Sequence, residues 1–139
     1  MASETQQQGS CLCGKVSVFA TPSSMHIDAC HCDMCRQWGG GPLLAVECDG
    51  EVRFSGEEYI SRYQSSEWAE RAFCSQCGTH LFYRLTADNH YALPVGLFGD
   101  VDWHFSKQIF IDQKPTYYAF PNATEKLTGE EVFAAYAAK

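Results

Sequence analysis

No two basic residues are adjacent anywhere in this chain of 139 residues, and its 10 lysines and arginines are outnumbered by 17 acids for a formal charge of −7. Nucleic-acid affinity rests largely on Lys and Arg neutralising phosphates, so a nucleic-acid partner is not expected. Long apolar runs are missing too. None approaches the roughly 20 residues that a membrane-spanning helix needs, and no membrane partner is expected. The opening MASETQQQGS is polar and lacks the apolar segment of a signal peptide or anchor. The expectation is a cytoplasmic protein with a flexible tail over residues 1–8 and one domain over 9–139, because no linker, repeat or composition shift divides the chain and its length suits a single core. Oligomeric state is not legible.

Period-2 or short apolar runs predominate. They predict strands over residues 15–20, 25–30, 43–48, 51–55, 59–63, 71–74, 80–85, 91–95 and 108–111, separated by turn sequences such as TPSS, CDG and TADN. A single segment carries a good helix entry. Thr128 is placed to cap with Glu131 as its reciprocal partner and Leu127 to staple onto Val132, which predicts a short C-terminal helix to about Ala138. The fold class is mainly β.

Against these absences stands an abundance of cysteine, 8 residues in all. Without a secretory leader, close cysteine pairs hold metal more often than they form disulfides. Cys11-Leu12-Cys13-Gly14 and Cys74-Ser75-Gln76-Cys77-Gly78 are two pairs, each followed by glycine. A knuckle turn needs positive φ and amides free to bond the sulfurs, which glycine supplies easily. Two such pairs make one Cys₄ tetrahedron, the closed form of a structural zinc site, with cross-paired disulfides as the alternative. Metal binding would then be folding free energy, and a chelator would loosen the whole domain.

Cys30, Cys32 and Cys35 form a third group. If residues 29–32 continue the preceding strand, Cys30 and Cys32 face one side and His31 the other, with Cys35 returning after a turn. His31 is then a poor ligand. Three corners of an open tetrahedron are the arrangement of catalytic zinc, whose fourth position takes water or a substrate thiolate. Three rival readings stay open. Cys48 could close the site, although it lies on an apolar face with Leu44 and Val46. His26, His80, His90 or His104 could close it, each being more often structural. The trio could instead be a redox centre, which C-x-x-C spacing permits.

In order, CLCGKVSV, CHCDMCRQWGGG and FCSQCGTHLF resemble the glutathione-dependent formaldehyde-activating enzyme family from about Gly9 to Tyr118. The resemblance implies an Mss-four-like fold, twisted β-sheets around a structural zinc, shared with B-type methionine sulfoxide reductases. It implies zinc on Cys11, Cys13, Cys74 and Cys77, and a second, catalytic zinc on Cys30, Cys32 and Cys35. The implied reaction is a carbon-sulfur lyase step written in reverse, joining glutathione to formaldehyde as S-hydroxymethylglutathione. Near the end the chain departs from the family pattern, with Gln108-Ile109-Phe110-Ile111 and Tyr117 where members often carry H-I-W-V and a later Trp.

Glutathione brings two carboxylates, so its pocket should offer cations and backbone amides. Arg36 and Arg62 are the candidate cations, and Gly39, Gly40 and Gly41 would let backbone approach the peptide closely, while Trp38 could cover the site. For each the ordinary reading is a solvated charge, a turn or packing. Two other classes compete with the lyase: a non-catalytic zinc module binding a thiol or a protein partner, and a sulfoxide reductase. The latter expects a redox cysteine on the late strands, and no cysteine follows Cys77.

Overall fold

The computed structural model describes residues 6–49 and 51–137. Of the tail expected over residues 1–8, the first five lie outside the described residues, and Gln7 and Gln8 already belong to a strand. In chain order the strands are β1 (Gln7–Ser10), β2 (Ser17–Ala20), β3 (His26–Cys30), β4 (Leu43–Asp49), β5 (Val52–Ser55), β6 (Ile60–Gln64), β7 (Ala69–Cys74), β8 (His80–Leu85), β9 (His90–Pro94), β10 (His104–Ile109) and β11 (Glu125–Leu127). Helix α1 covers Asp33–Gly39 and helix α2 Gly129–Ala137. The fold is mainly β with a short C-terminal helix, as the strand periodicity predicts. No helix among the described residues is long and apolar enough to cross a membrane.

The chain falls into two compact units, each assembled from two separated stretches. One holds the described residues up to Met25 together with Val46–Asp102, and the other holds His26–Ala45 with the described residues from Trp103 onward. In the first unit β2 pairs antiparallel with both β1 and β5. Strands β6 to β9 form an antiparallel meander. Alternation sets the faces: Val18 and Ala20 of β2 are fully buried, whereas Ser17 and Phe19 between them are half-buried. Phe82 is the largest fully buried side chain, with Phe54 tilted against it at 5.3 Å and Tyr91 edge-on at 5.2 Å between ring centroids, geometries that suit the ring quadrupoles.

The end of β4 shows the same alternation at work. Val46 and Cys48 are fully buried, and Glu47 and Asp49 point the other way. There they clamp His90 of β9, Glu47 at Nε2 and Asp49 at Nδ1. With both ring nitrogens donating to carboxylates, His90 is an imidazolium that ties two strands together, and its pKa rises to about 9, chiefly through the Glu47 hydrogen bond.

In the second unit β10 pairs in parallel with β3 on one side and β11 on the other. The sequence predicts a strand over 108–111, but β10 begins at His104 and stops at Ile109. Phe110 takes a left-handed conformation (φ 55°) and opens a 3₁₀ turn over Ile111–Gln113, so its aromatic β-propensity is overridden by tertiary context. Phe110 instead packs edge-on against Phe133 of α2. The predicted capping box at α2 is present. Glu131 N–H donates to Thr128 Oγ1 at 3.1 Å, and Thr128 N–H donates to Glu131 Oε1 at 2.7 Å. Residue 138, the expected helix end, lies outside the described residues.

The clamp on His90 makes stability depend on pH. Its folded pKa, about 9, exceeds the unfolded value of about 6.5, so the stabilisation is complete below about pH 6.5 and is lost as pH rises through 9. Asp49 is 72% exposed, so solvent screening should reduce the effect to about 1–2 kcal/mol. Urea unfolding of wild type and His90→Gln at pH 6 and pH 10 should show a stability difference that shrinks by that amount at the higher pH. A difference constant across the range would refute the clamp.

Candidate metal centres

All eight cysteines are free thiols, and seven of them gather into two groups, each wholly within one unit. Cys11, Cys13, Cys74 and Cys77 have their sulfurs within 4.8 Å of one another. The Cys11 and Cys13 sulfurs are 3.6 Å apart, and those of Cys13 and Cys74 are 3.8 Å apart. Zinc-sulfur bonds of about 2.3 Å set tetrahedral edges of about 3.8 Å. The donor set and its spacing therefore fit a tetrahedral thiolate-bound ion.

Local backbone explains how the two pairs form. Gly14 and Gly78 sit at φ 84° and 81°, and an added Cβ would meet nothing within 4 Å at either. Glycine is there for its backbone conformation alone. Gly14 N–H bonds the Cys11 carbonyl and Gly78 N–H that of Cys74. These turns aim amides at sulfur: Val16 N–H donates to Cys11 Sγ at 3.3 Å and Gln76 N–H to Cys74 Sγ at 3.4 Å. Thr79 links the knuckles, since its Oγ1 accepts from Leu12 N–H at 3.0 Å and lies 3.2 Å from Cys77 Sγ. Its hydroxyl donates to that sulfur and is the main cause of a Cys77 pKa lowered to about 5. Unlike the two glycines, Thr79 carries no spacing signal of its own; its place directly after Gly78 is what marks it in the sequence.

The trio is built differently. Strand β3 ends at Cys30, and Cys32 does not continue it. It is instead the N-cap of α1, extended at φ −64° and ψ 154°, with its sulfur accepting the Cys35 N–H at 3.3 Å. The expected turn before Cys35 is therefore the first turn of a helix, with Asp33 N–H held by Gln113 Oε1 at 2.9 Å. Cys30 and Cys35 are buried and Cys32 half-buried, and their sulfurs also lie within 4.8 Å of one another. Among the described residues no fourth His, Cys, Asp or Glu joins them. Cys48 is a core residue, and burial pushes its thiol up to about 12. His90 is held by Glu47 and Asp49 and His26 packs against His104, while His80 is in neither cysteine group. Crowding opposes ionisation in the bare trio: Cys32 and then Cys35 drive the Cys30 thiol far upward. A redox thiol wants the reverse, whereas a shared cation removes the conflict.

His31, between two trio cysteines, is fully buried and has both ring nitrogens occupied. Nε2 is 2.8 Å from Gln108 Oε1 and Nδ1 is 2.7 Å from the Tyr118 hydroxyl. Gln108 in turn donates through Nε2 to Thr124 Oγ1 at 2.8 Å. Burial lowers the His31 pKa, so the ring is neutral, donating to Gln108 and accepting from Tyr118. Gln108 thus completes a buried polar chain from His31 to Thr124.

The candidate substrate residues are placed as follows. Arg36, in the last turn of α1, donates from Nε to the His31 carbonyl at 2.9 Å. Gly39 ends α1, and Gly40 is its left-handed cap at φ 87°, with its N–H on the Arg36 carbonyl at 2.8 Å. Gly41 has open space around it, and Trp38 is half-buried. Arg62, on β6 in the other unit, is held by Glu70 at 2.9 Å and Glu57 at 3.9 Å, contacts that a structural role accounts for.

A family model described as glutathione-dependent formaldehyde-activating enzyme matches residues 6–113. A Schizosaccharomyces pombe protein named as an uncharacterized lyase is 36% identical over 129 residues, covering 91% of this chain and 94% of its own. A Halomonas elongata protein named as a candidate glutathione-dependent formaldehyde-activating enzyme is 32% identical over 84 residues, covering 54% of each chain. A crystal structure of a Rhodobacter sphaeroides protein shares the fold, with a TM-score of 0.59 at 24% identity over 68% of this chain and 90% of that one.

Replacing His31 separates a structural role from ligation. His31→Leu leaves the buried Gln108 carbonyl and the Tyr118 hydroxyl without their partner, which should cost about 2–4 kcal/mol. Metal content after reconstitution should stay at the wild-type level. Loss of metal with stability unchanged would make His31 a ligand.

Proposed function

The chain belongs to the glutathione-dependent formaldehyde-activating enzyme family, and on that premise we propose that it is a zinc-dependent carbon-sulfur lyase joining a glutathione-type thiol to a small aldehyde. In the direction of synthesis the thiol loses its proton, its sulfur bonds the aldehyde carbon, and the carbonyl oxygen takes up a proton. With formaldehyde and glutathione the product is S-hydroxymethylglutathione. The observation that carries the reading is the trio, three convergent sulfurs with no fourth protein donor among the described residues.

The quartet of Cys11, Cys13, Cys74 and Cys77 would hold one zinc in a structural role, and Cys30, Cys32 and Cys35 a second. Zinc held by three thiolates supplies the positive charge that keeps a substrate thiol ionised near neutral pH. The remaining work falls to side chains and backbone. The N-cap amide bond to Cys32 and the burial of Cys30 and Cys35 hold the sulfurs in place and limit water on one side. Arg36, its Nε fixed on the His31 carbonyl, presents its remaining donors to a substrate carboxylate. Gly40, free of a side chain just past α1, lets the peptide lie close to the backbone. Three thiolates would carry more charge than a divalent ion they held and would weaken it as a Lewis acid, so the site would favour binding and deprotonation of the thiol over polarisation of the aldehyde.

Metal analysis of anaerobically purified protein should find two zinc ions per chain. Cys32→Ser should lose one and stay folded, whereas Cys74→Ser should lose the fold. One ion, or none, would sink the two-site arrangement. Exchange NMR on formaldehyde and glutathione should show turnover faster than their spontaneous addition with wild type and not with Cys32→Ser. Zinc-loaded protein that leaves the spontaneous rate unchanged would point to a non-catalytic thiol-binding module.

A further inference from the structure

Of the five histidines, three are buried or half-buried. His31 is held by Gln108 and Tyr118 and His90 by Glu47 and Asp49, and His80 is the third. The two exposed ones, His26 and His104, face each other. They are directly opposed partners at the first positions of the parallel strands β3 and β10. The alternation that buries Ile27 turns His26 outward, and the shared register places His104 beside it, with ring centroids 5.5 Å apart and planes tilted by 32°.

Ring packing accounts poorly for this pair, because both residues stay exposed and their contact removes little apolar surface from water. Imidazole nitrogen is, however, a strong ligand for divalent copper, nickel and zinc. Two imidazoles on one ion, with metal-nitrogen bonds of about 2.0–2.1 Å and angles between square and tetrahedral, hold their ring centroids about 4.5–5.2 Å apart. The observed 5.5 Å is close to that range, and a small rotation of exposed rings closes the difference. Two adjacent strands fix the separation in advance, so the second nitrogen binds at little further entropic cost.

We infer that His26 and His104 form a bis-imidazole site for a divalent transition-metal ion. No third His, Cys, Asp or Glu converges on them among the described residues, so water completes the coordination shell and binding is weaker than at the cysteine quartet. Copper(II) heads the affinity order for such nitrogen donors. The ion ties the start of β3 to the start of β10, and β3 is the strand whose other end carries Cys30. The site is additional to the cysteine centres and independent of the lyase reading.

The probe is Ni²⁺, titrated into zinc-loaded full-length protein at pH 8, where ordinary imidazoles are neutral and able to ligate. Calorimetry should find one Ni²⁺ bound per chain without release of zinc. His26→Gln and His104→Gln should each weaken it at least tenfold, and the double variant no more than either single one, since the chelate needs both rings. In NMR spectra the ring protons of His26 and His104 should broaden together as Ni²⁺ is added. Those of His31, roughly 16 Å further along the chain at strand rise, should stay sharp. Ni²⁺ should raise the Tm of wild type and not of the variants, and Mg²⁺, which prefers oxygen ligands, should do neither. Broadening of one ring alone, or wild-type affinity in either single variant, would reduce the pair to separate surface histidines and overturn the site. Uptake matched by zinc release and unchanged in both variants would place the ion at the sulfurs and overturn it equally.

Discussion

Sulfurs crowded within 4.8 Å of one another cannot all ionise unless a cation shares their charge, and much of this fold is arranged around that constraint. In the first unit the crowding joins a loop at residues 11–13 to a turn at 74–77, closing more than sixty residues of chain. Loop closure of that length carries a large entropic cost for contacts as weak as two apolar side chains. Four coordination bonds to an ion held by Cys11, Cys13, Cys74 and Cys77 would overcome it, giving the β1, β2 and β5 sheet and the β6 to β9 meander a shared anchor. Thr79 and the knuckle amides stabilise the charged sulfurs further, since hydrogen bonds to a thiolate favour its ionised form.

The same donor serves two ends because different elements present it. A glycine-backed knuckle delivers two sulfurs on one short turn, and two knuckles close a tetrahedron. The trio comes instead from a strand end, a helix cap and a helix first turn, a geometry with room for three sulfurs. His31, just past the end of β3, is held by Gln108 and Tyr118. A buried neutral histidine with both nitrogens satisfied is rigid rather than reactive, and through it the Tyr118 loop is pinned beside the trio.

Much of this was legible in the residues. The two glycine-backed pairs, the separate trio and the Thr128 capping box each depend on a few adjacent side chains, and such local chemistry survives the loss of tertiary information. Helix α1 was not legible because capping is recognised by oxygen donors such as Ser, Thr, Asp and Asn, whereas here a cysteine sulfur accepts the bond. The shift of β10 escaped for a related reason: Phe110 has the composition of a strand residue, and the left-handed turn it adopts is set by Phe133 and the α2 docking. Glu47, Asp49 and His90 lie on two strands separated by some forty residues, so no spacing rule links them.

By itself the chain determined which atoms could bind metal, that its regular structure would be mainly β, and where its last helix begins, because each follows from neighbours in sequence. The tertiary structure alone decided that Cys30, Cys32 and Cys35 converge with no fourth His, Cys, Asp or Glu among the described residues, and that both ring nitrogens of His31 are taken by Gln108 and Tyr118. Those outcomes depend on the pairing of β3 with β10 and on the turn at Phe110, which bring residues 30–36 to residues 108–118 across a separation that local chemistry does not encode.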